Sequence, residues 1–127
     1  MLRCAFLTAL ALFALAGPAA AQMQRNFPAN ALRGELVIRQ PPDVLLNGGP
    51  ARLAPGARIR GQDNLLQMSG ALVGQRLVVN YTRELSGQLL DVWILTPAEQ
   101  AKRPWPTTEA QAKAWTFDPL AQTWSRP

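Results

Sequence analysis

From Gly34 to Thr96 the chain reads as short runs separated by turn residues. "ELVIR" ends at "QPPD", "VLL" at "NGGP", "ARL" at "APG" and "ARIR" at Gly61, while "RELSGQ" separates "RLVVNYT" from "LLDVWILT". Proline cannot donate to a strand ladder, and Asn47-Gly48 suits a type I′ hairpin, whose two central residues both take positive φ. In "ARIR", Ala57 and Ile59 alternate with Arg58 and Arg60, so one side is apolar and the other wet. Leu77, Val79 and Tyr81 share one side of the next strand, with Val78, Asn80 and Thr82 on the other. Val92-Trp93-Ile94-Leu95 is apolar on both sides, which requires a second layer over the sheet. Six short strands at this spacing predict a mainly β fold, a small five- to six-stranded barrel of the OB or SH3-like kind over residues 34–96.

After Thr96 the pattern changes. "TPAE" is a capping box with Pro97 at the first helical position, and it predicts a short helix that Pro104 and Pro106 end by about Arg103. Thr107 or Thr108 caps a second short helix, and "WTFDPLAQTW" places aromatic residues on either side of an Asp118-Pro119 turn, as in a terminal hairpin. Residues 97–127, which carry Trp105, Trp115 and Trp124, are therefore expected to pack on the barrel and cover Trp93 and Leu95. The alternative is that these tryptophans are exposed and stack on a sugar or a partner protein. Residues 22–33, "QMQRNFPANALR", show no period and read as an N-terminal arm that Phe27 pins to the body.

Residues 1–21 have a charged start at Arg3, an apolar run from Ala5 to Ala16, a Gly17-Pro18 break and three small residues. That is the layout of a secretory signal peptide cleaved after Ala21, and the run is too short to span a membrane, which takes roughly twenty residues. Cys4 precedes the run and leaves with the peptide, and one arginine makes no twin-arginine signal. The expected location is periplasmic or secreted, with no membrane span after cleavage.

Residues 22–127 contain no cysteine and no histidine. Disulfides, His- or Cys-based nucleophile systems and the common zinc, copper and haem sites are thereby excluded. The carboxylates are singly spaced, so no calcium loop is expected either. The expectation is a non-enzymatic protein without cofactor or metal; an enzyme reading would need carboxylates converging in space, such as Asp63 with Glu84 or Asp91. The net charge is +5, of which Arg3 carries one, and all the remaining basic residues except Lys102 and Lys113 are arginine. Arginine suits carboxylates and phosphates, though a charge away from zero also serves plain solubility.

The longest break, "GQDNLLQMSGALVGQ", is where small barrels place a helical turn. Asp63 and Asn64 read as caps or turn formers, and Leu65, Leu66 and Met68 are expected to plug one end of the barrel. The functional alternative makes Arg58, Arg60, Asp63 and Asn64 a polar patch at the barrel mouth, with Arg76 on the following strand as a further candidate for ligand or partner binding. Through "NFPANALRGE", "LNGGPARLAPGARIRG" and "WTFDP" the chain resembles uncharacterised exported proteins of proteobacteria. The resemblance implies export and a compact fold and brings no catalytic residues. The function expected is binding of a protein or envelope component. The alternative is an OB-like module for an anionic polymer: a glycan, lipopolysaccharide or, least of all, nucleic acid.

Overall fold

The computed structural model describes residues 24–127; the signal-peptide and cleavage readings fall on residues 1–21 and lie outside the described residues. At the hairpin Asn47 and Gly48 take φ of 52° and 81°, as a type I′ turn requires. They join β2 (Asp43–Leu46) to β3 (Gly49–Arg60) in a tight antiparallel pair, Leu46 opposite Gly49. The side chain of Asn47 also accepts a hydrogen bond from the Glu35 amide at 2.9 Å, tying the turn to β1 (Leu32–Gln40). Asn47→Ala is therefore expected to cost about 1 kcal/mol, through the lost bond and the left-handed backbone. The measurement is the urea midpoint at constant m-value; an unchanged midpoint would mean that Gly48 alone sets the turn.

Two boundaries differ from the sequence expectation. β1 begins at Leu32, inside the segment read as arm, because Leu32 is buried and pairs with Tyr81 of β5 (Arg76–Arg83). Gly34, read as a boundary, lies within the strand: a Cβ there would meet the Asn47 side chain at 3.1 Å, so the glycine is what lets the turn fold onto β1. "ARL" and "ARIR" are not two strands either. They form the single β3, which passes through Pro55 and Gly56 (φ 78°) with a register irregularity between Leu53 and Arg58. Such a bulge bends a strand without reversing it. One half of β3 pairs with β2; the other pairs in parallel with β6 (Leu89–Ile94) and antiparallel with the two-residue β4 (Leu66–Gln67).

The protein is mainly β, with a six-stranded sheet in the order β2-β1-β5-β6-β3-β4 in which β2 is also bonded to β3. A 3-10 turn over Ser69–Leu72 lies between β4 and β5. The second sheet is the terminal hairpin of β7 (Thr116–Asp118) and β8 (Thr123–Ser125). Between the sheets lie α1 (Pro97–Gln100), capped by Thr96, and α2 (Glu109–Ala114), capped by Thr108.

Two apolar clusters follow from the two faces of the central strands. Leu77, Val79 and Tyr81 point with Leu36, Ile38, Ile59, Leu89 and Val92 into the main core. On the other side, Leu95 joins Phe27, Ala31, Trp105 and Trp124, with Val78, Trp93 and Trp115 packed against them. Trp105 sits edge-on to Phe27, Phe117 and Trp124, with ring centroids 5.8, 5.9 and 6.1 Å away, and its Nε1 donates to the Ala31 carbonyl at 3.1 Å. The tryptophans of the extension therefore cover the sheet, with Trp105 and Trp124 buried and Trp115 half-buried.

Candidate functional site

The capping box at Thr96 determines where the most buried charge lies. Thr96 Oγ1 accepts from the Glu99 amide at 3.2 Å, and Glu99 Oε1 accepts from the Thr96 amide at 2.8 Å. So held, the Glu99 carboxylate receives Arg25 from the N-terminal arm, whose Nε donates to Oε2 at 2.9 Å and whose Nη2 donates to Oε1. The same guanidinium donates to the carbonyls of Gly61 at 2.8 Å and Ile94 at 2.7 Å. Burial alone would raise the Glu99 pKa. The bond from Arg25, the Thr96 amide and the Arg25 charge outweigh it and hold the carboxyl below its ordinary range.

Arg33 of β1 closes the other end of α1. Its Nη2 donates to the Glu99 carbonyl at 3.0 Å, which also accepts from the Lys102 amide, and its Nη1 donates to the Lys102 carbonyl at 2.7 Å just past the helix. Its Nε reaches Asn80 Oδ1 at 3.3 Å, and its guanidinium lies 4.9 Å from the Trp105 ring centre. Burial, then the neighbouring charge of Arg103, push its pKa down to about 10. A pocket of about 460 Å³ opens beside these groups, lined among others by Arg25, Arg33, Asp63, Asn64, Glu99 and Lys102.

Only part of the sequence-predicted patch reaches this pocket. Asp63 and Asn64 line it. Asp63 Oδ1 accepts from the Leu65 amide at 3.0 Å, and Asn64 takes φ of 66°, so both also shape the turn that leaves β3. Arg58 and Arg60 point outward from β3, as their alternation requires. Arg58 pairs with Asp91 at 3.0 Å, while Arg60 reaches no further than the Asn64 carbonyl at 3.5 Å. Arg76 stands apart on β5, facing Glu35 of β1 at 3.5 Å. Asp63, Glu84 and Asp91 share no hydrogen-bond partner: Glu84 accepts from Ser86, Asp91 from Arg58 and Asp63 from a backbone amide.

The expected plug is a correction. Leu65, Leu66 and Met68 are 64%, 62% and 81% exposed, because β4 extends the sheet edge outward from β3 and the main core is already filled from β1, β2, β5 and β6. Arg25 and Arg33 were not legible as site residues, since an aperiodic arm carries no signal for a buried charge. Glu99 had one: a capping box fixes a carboxylate. Comparison with protein-family models, curated proteins and solved structures finds no match to the chain.

Proposed function

We propose that the chain is a non-enzymatic exported binding module with a small OB-type barrel, and that it binds a protein or other envelope component through the segment 65–73. The barrel reading is supported by the circuit of pairings β1-β2-β3-β6-β5-β1, and the parallel β3–β6 pair favours the OB template over the SH3-like one. The non-enzymatic reading is supported by the lack of cysteine and histidine in residues 22–127. Export rests on the layout of residues 1–21.

The observation that carries the binding reading is the exposure of Leu65, Leu66, Met68 and Val73 along one short segment at the sheet edge. Single exposed leucines are ordinary, whereas four exposed apolar side chains within residues 65–73 support an interaction surface. A photo-crosslinking side chain at position 68 is expected to trap a discrete partner in the cell envelope, and one at Leu85, an isolated exposed leucine, is not. Leu66→Ser should remove the adduct. Identical adducts from both positions, or none from position 68, would overturn the reading. The anionic-polymer alternative is favoured by the outward arginines of β3. It requires binding that weakens steeply between low and moderate salt, and adduct formation unaffected by salt would exclude it.

A further inference from the structure

A second cleft, of about 390 Å³, shares Arg33 and Trp105 with the pocket described above and none of the segment 65–73. Its walls include three guanidinium groups, from Arg33, Arg103 and Arg126, and among the described residues that line it none is acidic. Two of the three are held over aromatic rings: Arg33 over Trp105 at 4.9 Å and Arg126 over Trp115 at 5.3 Å. Such contacts fix the side chain without neutralising it. Arg33 spends its hydrogen bonds on neutral acceptors, the backbone carbonyls of Glu99 and Lys102 and the side chain of Asn80. Glu99, whose charge also acts on Arg33, makes its ion pair with Arg25.

No ion pair forms at Arg33, Arg103 or Arg126 among the described residues, although Arg52, Arg58 and Arg76 each find a carboxylate. At the cleft wall Gln111 uses its Oε1 to accept from Thr107, and no acceptor among the described residues takes its Nε2 amide. Three like charges gathered in one cleft repel one another and are stabilised together by an anion. Burial first, and then the charge of Arg103, lower the Arg33 pKa, in keeping with that repulsion.

We propose that this cleft binds a compact oxyanion, the carboxylate or phosphate group of a larger molecule, with Arg103 and Arg126 as direct donors, Arg33 as the fixed charge behind them and Gln111 as a neutral donor. Planar guanidinium forks match the oxygen spacing of both groups. The site lies away from the segment proposed to hold a protein partner, and it does not depend on that reading.

The test is titration of the mature protein with inorganic phosphate, glucose 6-phosphate, glucuronate and neutral glucose, read from the indole resonance of Trp115 and the side-chain resonances of Arg126. The expected result is a saturable shift with the anions and none with glucose; the tighter of glucose 6-phosphate and glucuronate identifies the group recognised. Arg103→Ala and Arg126→Ala should each weaken the better anion about tenfold, with an unchanged melting temperature, since both side chains are exposed. Arg103→Lys should recover part of the loss. Leu66→Ser should leave anion binding intact, so failure here is separable from failure of the partner reading. Equal shifts with glucose and the anions, no saturable shift with any probe, or binding unchanged in both arginine variants would overturn the proposal.

Discussion

Glu99→Ala is expected to destabilise the protein by about 3–5 kcal/mol, the range for stranding one partner of a buried ion pair. The Arg25 side chain is 6% exposed and that of Glu99 14%, so the orphaned guanidinium has little water to turn to. The same substitution removes half of the capping box that starts α1. Glu99→Gln keeps a neutral acceptor and should cost less. Arg25→Met, which removes the buried charge together with its partner's need for it, combined with Glu99→Ala should cost less than the two changes summed. Chemical denaturation reads all four, and a loss below about 1 kcal/mol for Glu99→Ala would place the pair among solvated surface contacts.

The pair also sets an acid limit. The folded pKa of Glu99 lies below its unfolded value, so its contribution to stability is complete above the ordinary carboxylate pKa, about 4.3. It is lost as the pH falls through the lowered folded value. Arg25→Met should flatten the acid limb of the stability profile, and an acid limb identical in the two proteins would assign it to other carboxylates.

Removal of residues 97–127 is expected to abolish cooperative unfolding altogether. Truncation after Thr96 takes away Trp105 and Trp124 and uncovers Phe27, Ala31, Leu95 and one face of Trp93. Each large side chain returned to water loses roughly 1.5–3 kcal/mol, and a domain of this size is stable by on the order of 5–15 kcal/mol. Arg25 and Arg33 would lose Glu99 and the α1 carbonyls at the same time. Circular dichroism and a thermal melt of residues 22–96 give the answer. A soluble truncated chain with an unchanged melting temperature would make the extension an appendage and free its tryptophans for ligand binding.

Much of this organisation was legible where a local rule governs. Asn47-Gly48, the alternation of Leu77, Val79 and Tyr81, the Thr96 capping box and the apolar second face of Trp93 and Leu95 each follow from neighbouring residues. What local rules miss is tertiary. Pro55-Gly56 reads as a turn, yet β3 runs through it because β2 and β6 grip its two halves. Leu65, Leu66 and Met68 read as core because apolar residues usually are, and only a core already filled by other strands turns them outward. The buried Arg25 was the least legible, since its partner lies 74 residues away.

That separation has a bearing on how the chain is made. Phe27 exchanges backbone hydrogen bonds with the Gln122 side chain, and Gln24 reaches the Leu120 carbonyl, so the first described residues find their partners among the last. Contacts of such long range form late, because the intervening chain must be ordered before they are rewarded. A chain emerging from the ribosome thus holds Arg25 idle until Glu99 has been made, and leaves the Phe27 backbone unpaired until Gln122 has. Until then the second apolar cluster stays open, and Phe27, Ala31 and Leu95 wait for the cover that Trp105 and Trp124 bring.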